Sequence, residues 1–376
     1  MDRNQILQSY EISDNGFLPG EDPIEYLPEY FVEWDKIVYE LPTLIRSNRL
    51  RSTIEKLLEL DSSKLTTQQE LQRAYLVLGM ITHSYIWDPN YPLKEDKPKF
   101  IPRQLAVPWH NLSSKLGISP ILTHAAVDLF NWKLINKSDG IHLDNMRAIN
   151  TMTGTFDEEW FYIVMTAIEK TGRPIIQSIL DIYLDKNNSI ELKIANITGN
   201  LIAIRDNLQA IKKILGRMKE KCKPEIFFNV LRPYLAGWVG NDTFNDGIVY
   251  EGVSDERIKY VGGSAAQSSL LPTIDAAFGV EHSDEYFEKI KEYMPIKHRE
   301  FVNFVRDNID IRTIVTEHNN PMLTIAHNEC LIELKKLRQV HKGIAELYIQ
   351  KMIKLNQMAI DMNLSLESQQ SKLPEL

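Results

Sequence analysis

The sequence predicts an all-α protein divided into two domains. Apolar residues recur at helical spacing over long segments, and alternating apolar–polar runs are few. The 17 glycines and 17 prolines cluster between those segments. The length, 376 residues, suffices for two domains at the usual ~100–200 residues each.

Taken in order, residues 1–30 are acidic, carry Pro19, Pro23 and Pro28, and read as an extended arm. Helical patterns follow at about 31–60 and 67–87. The stretch 88–104, rich in proline and lysine, reads as a surface loop. Ser119-Pro120 offers a cap with proline at the first helical position, so a helix is expected there. Glycine, serine and asparagine interrupt any period over 133–157, which reads as a connector. Thr155 and Glu158 have the spacing of a capping box that opens the next helix. A domain boundary is placed near residue 151, with domains 1–151 and 152–376. Pro224 is a plausible first residue for a helix containing FFNVLRPYLAGW, and Pro233 is expected to kink it beside Arg232. From about 322 the positions Cys330, Leu334, Leu337, His341, Ile344, Tyr348, Met352 and Leu355 form one apolar stripe on a long helix.

Bulk properties narrow the function. Hydrophobic residues make up 43% and charged residues 25% of the chain, as in ordinary soluble globular proteins. The net charge of -8 lacks the basic footprint of a nucleic-acid binder. Two cysteines, Cys222 and Cys330, without CxxC spacing, point to a reducing compartment and away from a disulfide framework. The polar start and the lack of an apolar run of ~20 residues give no sign of a signal peptide or membrane span. A cytoplasmic protein is expected. It is expected to be monomeric, since no long exposed heptad seam is visible. Nucleotide, serine-hydrolase and zinc-protease motifs are missing.

Two motifs carry chemistry. GGSAAQSS (262–269) is a small-residue turn feeding a helix. Such a turn permits close backbone approach to a flat ligand and aims N–H groups at an anion. His341 lies in the apolar stripe, with Arg338 one helical turn before it. A histidine so placed can be a satisfied core residue or a neutral imidazole ligating haem iron. Arg338 can form a surface ion pair or hold a haem propionate. Arg232 and Phe228 share a helix face, which suits a substrate carboxylate in an aromatic site or an interdomain salt bridge. Phe161, Met165 and Ile168 share another face, compatible with plain core packing.

The letters of these motifs resemble the indoleamine 2,3-dioxygenase family over roughly residues 24–350. LKKLRQVHKGIAELYI, FIPRQLAVPW, SPILTHAAVDLFNW, EEWFYIVMTAIE, FFNVLRPYLAGWVGN and YMPIKHREF carry the likeness together with the GGSAAQSS turn. The resemblance implies a two-domain helical haem protein whose smaller N-terminal domain caps the distal side and whose larger domain holds the cofactor. It implies haem b with His341 as iron ligand, Arg338 on the propionate side and Asp275 supporting that arginine. Gly262, Gly263, Ser264 and Ala265 would lie along the haem edge on the substrate side, with Ser264 a distal-pocket candidate. Arg232 would bind the substrate carboxylate, with Phe227 against the indole and Phe161 over it. Met165 stands where animal enzymes carry serine, and its thioether only packs. His124 stands where the better-known relatives have tyrosine, and is expected to line the distal pocket, touching substrate or oxygen. The end NLSLESQQSKLPEL departs from the family's glycine- and threonine-rich closing loop.

The reaction so implied inserts both atoms of O₂ across the indole C2=C3 bond of L-tryptophan or a related indole, giving an N-formylkynurenine-type product. An electron donor is implied to keep the iron ferrous. Two other readings share the residues: a haem enzyme that oxidises a different indole by monooxygenation or rearrangement, and a non-enzymatic haem protein that binds O₂. Arg232, Phe227 and Phe161 argue against the last, because a carrier needs no carboxylate clamp.

Overall fold

Helices α1 (Arg3–Ser9), α2 (Val32–Arg46), α3 (Gln68–Ile86) and α4 (Arg103–Leu116) build the first part of the chain. The second part contains α5 (Phe156–Thr171), α6 (Arg173–Leu184), α7 (Ile190–Gly216), α8 (Leu270–Ala277), α9 (Ile296–Asn308), α10 (Ile311–His318) and α11 (Pro321–Ala345). This computed structural model describes residues 2–91, 97–240, 243–244, 246–280 and 285–358. The expected all-α class holds.

Several local expectations are corrected. The first thirty residues are not an extended arm: Asp2 and Gln5 form a capping box that starts α1. Ile6, Leu7, Ile12, Phe17 and Leu18 are then buried, which pulls the segment onto the body. Tyr10 packs on Phe301 of α9 at 5.6 Å, and Arg3 pairs with Asp181 of α6 at 2.7 Å. No helix begins at Ser119-Pro120. Instead a single π turn spans Ala125–Leu129. The connector 133–157 contains a short antiparallel hairpin, β2 (Trp132–Leu134) with β3 (Met146–Ala148). Its register pairs Trp132 with Ala148, so the indole points to the core side. A second small sheet joins β1 (Phe100–Ile101) in parallel to β4 (Ile248–Tyr250), which pairs antiparallel with β5 (Ser254–Ile258).

Two helices set the frame. α3 is buried without interruption from Arg73 to Ile86, so it is apolar nearly all round and forms the centre of the first part. Its one buried charge, Arg73, pairs with Asp35 at 3.0 Å and donates to Asn150 at 2.5 Å. α11 starts at an Asn320 cap with Pro321 at the first position, and packs along α7. The ion pairs Arg205–Glu329 and Lys212–Glu333 (both 2.5 Å) flank that seam. Cys330 Sγ donates to the Leu201 carbonyl inside it. The buried apolar cluster is continuous from Ile6 to Tyr348. Leu355, expected in the stripe, is 45% exposed. The C-terminal stretch read as a departure from the family lies outside the described residues.

Candidate active site

A cavity of about 570 Å³ lies between α5, the segment 227–240, the turn 261–265 and α11. Its wall contains Phe161, Met165, Phe227, Arg232, Gly262, Gly263, Ser264, Ala265 and His341, so one space gathers nearly every residue singled out from the sequence.

His341 projects from the last part of α11 and lines the cavity. The imidazole is accessible to that open space. The protein around it still depresses its pKa by desolvation, with no hydrogen bond opposing the shift. A neutral, unpartnered imidazole is the state a metal needs. Just beyond, residues Glu346–Gln350 form a π turn that carries Tyr348 onto Phe227 at 5.6 Å. Arg338 lies beside the cavity rather than in its wall and is ion-paired with Asp275 of α8. The two residues that the resemblance linked are therefore in contact.

Arg232 owes its position to a second π turn. Pro224 starts a helical turn, and Phe227–Leu231 then widens, with the Arg232 N–H reaching back to the Phe227 carbonyl. The widened turn absorbs Pro233, whose missing N–H would otherwise break the ladder, so the expected kink takes the form of a π bulge. Arg232 is exposed, its guanidinium 5.2 Å from the Phe228 ring, and it makes no ion pair with any described residue. The interdomain salt bridge weighed from sequence is thus not formed among the described residues. Phe227 stands 5.0 Å from Phe161 across the cavity wall, and Met165 lies one turn further along α5.

The glycine turn is held by backbone. Gly263 N–H donates to the Leu235 carbonyl at 3.0 Å, and Trp238 N–H to the Tyr260 carbonyl at 2.8 Å. A Cβ on Gly262 would lie 2.1 Å from Leu235 O, and one on Gly237 would lie 2.3 Å from Gly262 N. Only glycine permits this approach, and it fixes the turn against the arginine-bearing segment. Gln267 completes the turn. It donates to the Gly262 carbonyl and accepts from His124 N–H, both at 3.0 Å, while Ser264 Oγ caps Ala266 N–H.

His124 is corrected. It does not face the cavity: it is 2% exposed, clamped between Asp128 (2.7 Å) and Glu169 (3.0 Å). Burial would favour the neutral ring, but the Asp128 charge and hydrogen bond, then Glu169, outweigh it and hold the pKa at about 10. Ser268 Oγ also donates to Glu169. With Nε2 on Glu169 and Nδ1 against the Asp128 carboxylate, the ring faces carboxylates rather than the cavity, and its backbone N–H holds Gln267 of the glycine turn from behind. Sequence reasoning passed over Asp128, Glu169 and Gln267. His124–Asp128 and Met165–Glu169 are i,i+4 pairs, and Ser264–Gln267 has the capping-box spacing, so each carried a readable signal. His83 carried none. Buried in α3, it donates from Nδ1 to the Tyr234 carbonyl (2.7 Å) and accepts the Leu122 N–H at Nε2 (3.0 Å), tying two site segments together. Burial pushes its pKa down to about 4, consistent with that neutral tautomer.

The residues fit a haem. The volume lies within the ~300–1,000 Å³ of cofactor and ligand sites. Among the described residues no group of three or more His, Cys, Asp and Glu converges as a metal site, so His341 suits a metal that brings its own equatorial donors. The class defined by this fold and site is a helical haem protein with an aromatic-lined cavity that also holds the Arg232 guanidinium. The family model described as indoleamine 2,3-dioxygenase matches residues 6–373. The chain is 34% identical over 354 residues to indoleamine 2,3-dioxygenase 1 of Rattus norvegicus, covering 92% of this chain and 85% of the relative. It is 34% identical over 369 residues to indoleamine 2,3-dioxygenase of Saccharomyces cerevisiae, covering 92% and 80%. A third relative, indoleamine 2,3-dioxygenase nanC of Aspergillus nanangensis, is 32% identical over 363 residues, covering 91% and 86%. The chain belongs to the indoleamine 2,3-dioxygenase family. It is a haem-dependent dioxygenase that acts on indoles.

Proposed function

We propose that the substrate is L-tryptophan or a close indole amino acid, and that both atoms of O₂ are inserted across the indole C2=C3 bond to give an N-formylkynurenine-type product. The observation that carries this reading is the Arg232 fork, without an ion pair among the described residues, sharing one cavity with His341 and the Phe161–Phe227 pair. Bound haem b supplies O₂ activation and the redox chemistry. His341 would hold the iron, and the Arg338–Asp275 pair would anchor a propionate. Arg232 binds the substrate carboxylate bidentately, which sets the indole between Phe161 and Phe227. Gly262, Gly263, Ser264 and Ala265 leave room along the haem edge, and Ser264 is held by the cap it makes to Ala266. The apolar wall of Phe161, Met165 and Phe227 excludes water from the reacting bond. Residues 1–151 would cap the distal side of the larger haem-holding domain. The remaining expectations stand with this reading: a monomer in the cytoplasm, an electron donor that keeps the iron ferrous, and a place in tryptophan catabolism through the kynurenine pathway. No described helix is long and apolar enough to cross a membrane.

Met165 favours a second reading. A thioether offers the indole N–H no useful acceptor, so this wall tolerates an altered indole or a different oxidation. Mass spectrometry of the product from L-tryptophan under labelled O₂ separates the readings. Two labelled atoms establish the dioxygenase reaction on tryptophan, and one moves the case to monooxygenation. No product, with a normal haem spectrum and O₂ binding, moves it to another indole or to a carrier.

A further inference from the structure

A second cavity, of about 180 Å³, lies where the loop after α1, the start of α3, the end of α4 and the start of α9 meet. It shares no lining residue with the haem cavity. Phe17, Leu116, Ile118 and Phe130 give it a buried apolar wall. The opposite wall is the first turn of α9, a helix of 13 residues whose N-terminal Pro295 makes no side-chain cap. Among the described residues the N–H groups of Ile296, Lys297 and His298 therefore have neither an intrahelical nor a capping acceptor. His298 is an independent sign of a ligand. It is 7% exposed, forms part of the cavity wall, and neither ring nitrogen has a hydrogen-bond partner among the described residues. Buried polar atoms are rarely left so. Gly117, at φ 62°, makes the junction tight: a Cβ there would lie 2.6 Å from Ile296 Cβ, so the end of α4 sits directly on the first turn of α9.

We propose that this cavity is a second ligand site for a single-ring monocarboxylate of benzoate size. The ring lies on Phe17, Leu116, Ile118 and Phe130, and the carboxylate meets the first-turn N–H groups of α9 and the His298 ring. Size limits the ligand: an apolar cavity of ~150 Å³ holds a benzene ring, so the volume here leaves room for one small polar substituent. Charge limits it further. Helix N-terminal N–H groups favour an anion, and Lys115 stands on the rim. Glu11 also stands on the rim, and Lys297 is engaged with Glu300 at 2.9 Å, so a second negative charge on the ligand is opposed. Burial first, then the nearby His124 charge, push the His298 pKa down to about 3, which leaves that ring a neutral donor.

Calorimetric titration of the haem-loaded full chain with benzoate tests the site, with the haem absorption band recorded in parallel. Saturable binding at one site with a Kd of about 1 mM or tighter is expected, with no movement of the haem band. The neutral isostere benzamide is expected to bind about tenfold more weakly or worse. His298→Phe, which keeps the ring but removes the nitrogens, is expected to weaken benzoate by about tenfold. Gln72→Trp, placed on the partly exposed rim, is expected to abolish binding by filling the mouth and serves if His298→Phe does not fold. Absence of saturation by about 10 mM benzoate overturns the assignment. Equal affinity for benzamide does the same, and so does binding that shifts the haem band and disappears in Arg232→Ala.

Discussion

Replacing His124 by leucine isolates what the buried cation behind the glycine turn contributes. The imidazole lies 2.7 Å from Asp128 and 3.0 Å from Glu169, with side-chain exposures of 2%, 4% and 1%. Leucine would leave two carboxylates facing an apolar side chain with no cation to answer them. Breaking a buried charge pair from one side costs about 3–5 kcal/mol, and this substitution is expected to cost that much at pH 7. The pH dependence has a definite sign. His124 is raised from its ordinary 6.5 to about 10, so its contribution is fully present below the unfolded value and declines as pH rises toward the folded one. The slope over that window is about 1.4 kcal/mol per pH unit for one proton. Urea denaturation of both proteins at pH 6.5, 8 and 9.5 reads the gap, which should narrow with rising pH. Adding Glu169→Gln to His124→Leu removes one stranded charge and should recover part of the loss. The folded variant should keep its KM for substrate within about threefold, because the ring does not face the cavity. A loss below about 1 kcal/mol, or a gap that does not change with pH, would refute the buried-cation account. A large KM effect in fully folded protein would restore His124 to the substrate pocket.

Arg232→Ala should raise KM for a carboxylated indole by about 10- to 100-fold, with haem loading unchanged, as read by steady-state kinetics beside the haem spectrum. Equal losses for indole substrates with and without a carboxylate would contradict the clamp. Gly262→Ala should disrupt the turn outright, since its Cβ would lie 2.1 Å from Leu235 O, and haem titration of the purified variant should show lost or heterogeneous binding. Wild-type haem affinity in that variant would mean that the turn is more pliable than drawn. His83, held neutral at about 4, gives stability that is complete above pH 6.5 and declines as pH falls through that window. His83→Gln should therefore flatten the acid side of the stability profile, and an unchanged profile would deny His83 this role.

Much of this site was legible because its signals are local. The apolar stripe of α11 set His341 on a definite face, and the buried Cys330, Leu334 and Leu337 place that face against α7. The GGSAAQSS letters marked a close approach that Gly262 and Gly237 then provide. Thr155 caps α5 as its spacing indicated, although Glu158 turns instead to the Met152 and Thr153 N–H groups. The misses have nonlocal causes. Whether His124 faces a ligand or a carboxylate depends on Glu169, 45 residues away, which only tertiary packing brings close. The π turn beside Pro233 reconciles a helix with a missing donor in a way that helical periodicity does not anticipate. The early prolines suggested an arm, yet the five buried apolar residues among the first eighteen outweigh them.

Whether His341 holds the haem iron is read by titrating His341→Gly with haem in the presence and absence of imidazole. The variant should lose the spectrum of histidine-ligated haem and added imidazole should restore it, because the cavity that residue 341 lines can admit the free ring in place of the lost one. An unaltered spectrum without imidazole would place the iron ligand elsewhere.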